Sequence, residues 1–185
     1  MEITLKTAAT DSEWAAAARL LDQYRCWLDA AIGLDLAAAQ PAAGGEFGDL
    51  ASFYRRPDGV LILAWLGACP VGMVGVHRYA GAIGELKRTY AVRAARGRGV
   101  GRALVSAAIG AATDLGFEEL WLQTEPGTMA AAHRLYRDAG FVDIPAYHDL
   151  GVAGVATLGL RLAGPRRRPL TRVVGGPNPA RREFS

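Results

Sequence analysis

The sequence predicts a mixed α/β fold in which one central β-sheet carries helices on both faces. Three observations point there. The chain of 185 residues is long enough for one domain with a substantial core and too short for two ordinary ones. Strand-like apolar segments dominate its middle. Helical periodicity alternates with strands only in the second half, which argues against a regular doubly wound sheet.

The elements follow in order. Glu2–Ala8 reads as a short strand with Ile3 and Leu5 alternating. Thr10 and Glu13 form a capping-box pattern, and the helix they open runs to about Ala31 and stops near Gly33. Trp14, Ala17, Ala18, Leu21, Leu28 and Ala31 give it an apolar stripe. Residues 33–48, rich in Ala and Gly, read as a loop that orders over a ligand, and Glu46–Tyr54 as a short second helix. Val60–Leu66 and Val71–His77 are apolar strands joined by Gly67-Ala68-Cys69-Pro70, an antiparallel hairpin. Glu85–Val92 is a further strand. The Gly- and Arg-rich loop Arg93–Gly99 leads into a helix from about Gly99 to Leu115, striped by Val100, Leu104, Ala107, Ala108, Ala111 and Leu115 and ended by Gly116. Glu118–Thr124 is a strand, Gly127–Ala139 a helix ended by Gly140, and Phe141-Val142 and Val155–Leu162 supply the last strands.

Composition excludes several classes. The net charge of +3 is uneven: six arginines and one acid beyond Gly164 carry +5, leaving residues 1–163 at −2. The folded part, expected over 1–163, is therefore not a basic nucleic-acid domain, and the Arg-, Pro- and Gly-rich segment 164–185 reads as a disordered tail. A nucleic-acid role for that tail ranks low, because no aromatics interleave its arginines before Phe184. No apolar run approaches the roughly 18 residues of a membrane span, and the N-terminus lacks a secretory pattern. The expectation is a cytoplasmic protein without membrane contact, with Cys26 and Cys69 as free thiols. His77, His133 and His148 lie far apart without metal-ligand spacing, so no metal is expected.

The most informative stretch is Arg96-Gly97-Arg98-Gly99-Val100-Gly101-Arg102, set between a strand and a helix. Glycines let the backbone turn tightly and approach a bound group. The first helical turn leaves N–H groups unpaired and partially positive. The combination suits phosphate oxygens. A Walker loop would end in Gly-Lys-Ser/Thr, which is absent. A dinucleotide fingerprint would need a third glycine where Arg102 stands, and would open the first βαβ unit rather than lie mid-chain.

At these residues the chain resembles the GNAT superfamily of N-acetyltransferases. The family's hallmark is Arg or Gln, two residues, Gly, one residue, then Gly or Ala, and residues 96–101 fit every specified position. Glu85 stands 11 residues before Arg96, where the family often carries an acid. Ala132, Tyr136 and Gly140-Phe141 resemble its second motif, with Met129 in place of an asparagine often found seven residues before the tyrosine. The resemblance implies a single GNAT-like domain with a mostly antiparallel sheet of six to seven strands, acetyl-CoA as co-substrate and a small-molecule or peptide amine as acceptor. It also allows a homodimer. It implies that the loop Arg96, Gly97, Arg98, Gly99, Val100, Gly101 and Arg102 holds the CoA phosphates, largely through backbone amides from Arg98 to Arg102, with the three arginine side chains adding charge. Thr89 and Ala91 would pair with the pantetheine arm as an added strand does, with Met129 and Ala132 against it.

Acetyl transfer needs a neutral nucleophile and a proton for the leaving thiolate. A typical amine, with pKa near about 10, is mostly protonated at neutral pH. Glu85 is the candidate base and Tyr136 the candidate acid. The plainer reading of Glu85 is an ion pair with Lys87 or Arg88, and that of Tyr136 is a packing tyrosine. Arg88, Tyr147 and His148 are the acceptor-binding candidates, with Tyr24, Trp27, Tyr54 and Asp149 as further liners. The alternative function is a non-catalytic CoA-binding regulatory module on the same fold.

Overall fold

Thr10 opens the first helix as its sequence predicts. Its Oγ1 accepts from the Glu13 N–H, and the Glu13 carboxylate accepts from the Thr10 N–H, closing the capping box. This helix, α1 (Asp11–Ile32), follows strand β1 (Ile3–Thr7) and ends at Gly33, whose φ of +63° is left-handed. The computed structural model describes residues 2–35 and 44–164. The expected basic tail, beyond Gly164, lies outside them, as do residues 36–43 of the expected loop.

Two corrections fall on the N-terminal half. Ala18 and Ala31 are exposed, and Ala16 and Leu20 take the buried places beside Ala17, Leu21 and Leu28. With alanines nearly all round the helix, apolar periodicity alone fixes the buried face only to within a residue. The single helix expected over Glu46–Tyr54 is two turns, α2 (Gly44–Gly48) and α3 (Leu50–Phe53). Asp49 separates them, because its side chain accepts from the Ser52 N–H and starts a new helix.

The remaining elements are β2 (Gly59–Leu66), β3 (Cys69–Ala80), β4 (Ile83–Ala91), α4 (Val100–Asp114), β5 (Glu119–Thr124), α5 (Ala130–Asp138), β6 (Val142–Asp143) and β7 (Ala156–Arg161). One seven-stranded sheet runs β1-β2-β3-β4-β5-β7-β6. Its neighbours are antiparallel except the parallel pair β4–β5. Both faces are covered, and β2 shows how. Successive side chains point to opposite faces, so Val60, Ile62, Ala64 and Leu66 join Leu104 and Ala108 of α4. Leu61 and Leu63 join Ala17 and Leu21 of α1.

Two irregularities position the site. First, β4 pairs with β5 only where Ile83–Glu85 meets Glu119–Trp121. Beyond that the two strands continue unpaired with each other, and a cleft opens through the sheet. Second, β4 carries one extra residue against β3 between the pairs Met73–Tyr90 and Gly75–Lys87, which is a bulge. Arg88 sits in it with φ +58°, the one non-glycine residue among those described to take positive φ. The bulge breaks the strand's alternation. Lys87 and Arg88, though consecutive, both reach the same carboxylate, Glu46.

Candidate active site

The Gly-Arg loop forms one wall of a groove of about 620 Å³. Gly97 and Gly99 have φ of +74° and +84°, a left-handed backbone that side chains disfavour. Gly99 caps α4 without any side-chain cap, so the N–H groups of the first helical turn face out unpaired. Arg96, Gly97, Gly99, Val100, Gly101 and Arg102 line the groove together with Thr89, Ala91, Met129 and Ala132. Arg98 is exposed and stands outside this lining. Arg96 lies over the Trp27 ring at 5.6 Å, and its Nε donates to the Ala91 carbonyl at 3.3 Å. Trp27, expected as an acceptor liner, lines this groove.

Thr89, Met129 and Ala132 also line a second, narrower cavity of about 80 Å³ in the gap between β4 and β5. Glu85, Tyr136, Tyr24, Lys87 and Arg88 border it. Tyr136 is buried against Phe141, and burial pushes its phenol well above the ordinary tyrosine range. It therefore stays protonated and able to donate. The Thr124 hydroxyl and the side-chain oxygen of Gln123, both at this cavity, are buried without hydrogen-bond partners, while the Thr89 hydroxyl lies beside that of Tyr136.

Glu85 is buried, accepts from the Tyr147 hydroxyl at 2.9 Å and meets Lys87 Nζ at 3.1 Å. Burial, then the charge and hydrogen bond of Glu85, raise the Tyr147 phenol, so Tyr147 remains a donor. Lys87 also lies 3.8 Å from Glu46. Glu46 is fully buried and accepts a forked pair from Arg88, at 2.8 Å from Nε and 2.7 Å from Nη2, and a third bond from Tyr54 at 2.6 Å. Burial works against the charge of Glu46. The bonds and charge of Arg88, with Lys87 and Tyr54, outweigh it and hold the carboxyl below its ordinary value. Gly75 makes room for this arrangement, since a Cβ there would overlap the Tyr54 ring.

Sequence reasoning missed Glu46. The one available signal is that it is the lone acid between Asp35 and Asp49, and nothing local marks it as buried. Arg88 and Tyr54 are at the site, but both are bound to Glu46 rather than directed at open space. Tyr147 touches Glu85. His148 and Asp149 line a neighbouring groove of about 440 Å³, which shares Gln123, Leu150, Val152 and Val155 with the cleft. Asp149 accepts from the Gly151 N–H, and the His148 ring packs on Tyr79 and Tyr147. Among the described residues no group of three or more His, Cys, Asp or Glu is arranged to hold a metal ion, and no helix is long and apolar enough to cross a membrane.

The fold that carries this groove and cleft is shared with known proteins. The sequence profile of the Acetyltransferase (GNAT) family matches residues 17–141, and the chain belongs to that family. Its fold is similar to an acetyltransferase of the GNAT family from Staphylococcus aureus Mu50, with TM-score 0.69 at 17% identity over 88% of this chain and 100% of that one. It is similar to an acetyltransferase from Streptococcus agalactiae 2603, with TM-score 0.67 at 20% identity over 86% and 98%. It is also similar to the PaiA N-acetyltransferase from Thermoplasma acidophilum, solved in complex with coenzyme A, with TM-score 0.67 at 15% identity over 87% and 99%. No curated protein sequence matches the chain significantly.

Proposed function

We propose that this protein transfers an acetyl group from acetyl-CoA to an amine by direct attack in a ternary complex. The observation that carries this reading is the junction of the two cavities at Thr89, Met129 and Ala132. A ligand held by its diphosphate on the loop has a path from there to the gap between Glu85 and Tyr136.

Each residue then has a role. The N–H groups of Val100, Gly101 and Arg102, freed by the turn at Gly97 and Gly99, hold the diphosphate, with Arg96, Arg98 and Arg102 adding charge. The unpaired side of β4 at Thr89 and Ala91 receives the pantetheine arm as an added strand, and Met129 and Ala132 pack on it. These residues fit the ligand on one count, a strand edge left open beyond Glu85. Glu85 takes the proton of the amine, directly or through water. Nitrogen attacks the acyl carbon, the carbon–sulfur bond breaks, and the Tyr136 hydroxyl donates to the leaving thiolate. Arg88 acts through Glu46 to fix the acceptor side, while Tyr147 and His148 border its entrance.

The engagement of Glu85 by both Tyr147 and Lys87 favours a second reading, a non-catalytic CoA-binding module in which Glu85 is structural. Release of CoA thiol in the presence of an amine panel separates the two. Under the catalytic reading, Glu85→Gln and Tyr136→Phe each lower kcat by about 100-fold with acetyl-CoA affinity retained by calorimetry. Full turnover in either variant removes that residue from the mechanism, and no thiol release with any amine leaves the binding module.

A further inference from the structure

Gln123 lies where β4 and β5 part. Glu85 and Trp121 are paired neighbours, so Lys87 and Gln123, each two residues on, face the same side of the sheet. Gln123 lines both the reaction cleft and the open groove of about 440 Å³ beside it. Its amide orientation is fixed by chemistry. One terminal atom sits 2.8 Å from the His148 carbonyl oxygen, which only accepts, so that atom is the NH₂ group, Nε2. Nε2 also donates to Thr157 Oγ1 at 3.3 Å. Oε1 is therefore left as a hydrogen-bond acceptor, and it is buried with no donor. A buried acceptor without a partner loses stability unless a ligand supplies the donor.

The surrounding charges narrow that ligand. Among the described residues, the two cationic side chains bordering the cavities, Lys87 and Arg88, are engaged by Glu85 and Glu46. The carboxylates of Glu125 and Asp149 accept from backbone N–H groups of their own loops. Among the described residues the lining offers acceptor oxygens and no lysine or arginine outside those ion pairs. An amine with a carboxylate on the adjacent carbon would place negative charge beside Oε1 without a counterion. A carboxamide there brings a neutral N–H instead. Away from the Thr89, Thr124, Tyr24 and Tyr136 hydroxyls the wall is apolar, from Leu28, Ile32 and Leu34 across to Leu150, Val152 and Val155.

We propose that the acceptor is an amine flanked by a carboxamide and an apolar side chain, as at a peptide N-terminus or in an amino-acid amide, and that Gln123 Oε1 selects it by accepting from the carboxamide N–H. This rests on the acetyl-transfer reading. The test compares kcat/KM, expressed per concentration of neutral amine because an amide lowers the pKa of its neighbouring amine, for leucinamide, leucyl-glycinamide, free leucine and 3-methylbutylamine, which has the leucine shape without the carboxyl carbon. Both amides exceed free leucine by at least about tenfold, the scale of one hydrogen bond to a buried group. Gln123→Met brings the leucinamide to 3-methylbutylamine ratio down towards one. Thr157→Val, which removes one partner of Nε2 and leaves Oε1 in place, keeps that ratio high. A dipeptide amide ahead of leucinamide points to peptide N-termini and the reverse to small amides; either order supports the shared chemistry. Free leucine matching leucinamide, or an undiminished ratio in Gln123→Met, overturns the inference while acetyl transfer stands. If no amine is acetylated by a protein that binds acetyl-CoA, the transfer reading falls and takes the inference with it.

Discussion

The two ends of the cleft are made of different materials. The proposed phosphate end is main chain: left-handed glycines, an uncapped helix start and an open strand edge, all within residues 89–102 and adjoining α5. The proposed acceptor end is side chains gathered from afar, with Glu46, Tyr54, Glu85, Lys87, Arg88 and Tyr147 in one hydrogen-bonded and ionic network. A backbone site depends on conformation and tolerates changes of side chain. A side-chain network depends on charge balance, and removing one member leaves the others buried and unpaired.

The largest expected effect tests that balance. Glu46→Ala leaves the buried guanidinium of Arg88 without its carboxylate, and loss of one partner of a buried pair costs about 3–5 kcal/mol. Denaturant unfolding at neutral pH measures it. The sign with pH follows from the depressed Glu46 carboxyl. Its contribution to stability is present above the ordinary carboxyl value of 4.5 and is lost as pH falls through the lower folded value. The gap between the native chain and Glu46→Ala therefore narrows as pH drops below 4.5. A stability loss under about 1 kcal/mol would mean that the network behaves like a surface pair, and the contrast between the two ends would fail.

Gly101→Glu probes the other end, where the expected loss is of affinity. A Cβ at residue 101 meets only the tip of Leu135, at 2.8 Å, and glutamate is a better helix former than glycine. The fold is thus retained, while a carboxylate enters the space proposed for phosphate. Acetyl-CoA affinity falls by about 100-fold, near 2.7 kcal/mol, with melting temperature nearly unchanged. Calorimetric titration and a thermal melt on one sample read both. Unchanged affinity would remove the diphosphate from this loop.

The same difference explains what the sequence made legible. A backbone site leaves a contiguous trace, because turn, glycines and helix start are neighbours in the chain, and residues 96–102 could be read together. The strands, α4 and the Thr10 cap were legible for the same reason: periodicity and capping are local. The acceptor end leaves no such trace. Glu46 becomes important only because a bulge at Arg88 turns two consecutive cations to one face, and because Gly75 admits the Tyr54 ring. Neither event has a period to detect. The orphan oxygen of Gln123 is equally silent, since it is defined by where a loop 25 residues away places the His148 carbonyl.

Arg96→Ala is the smallest expected effect and the finest test of the comparison. Arg96 is exposed, its bond to the Ala91 carbonyl is long at 3.3 Å, and its stacking on Trp27 is at the surface. If main chain carries the diphosphate, removing this one charge weakens acetyl-CoA binding only two- to fivefold, about 0.4–1 kcal/mol, as for other exposed charge contacts. The loss shrinks further in high salt, where exposed charges are screened, whereas the Gly101→Glu defect, being mainly steric, persists. Should Arg96→Ala match Gly101→Glu in size, the phosphate end would also be a side-chain site, and both ends of the cleft would then obey the same rule.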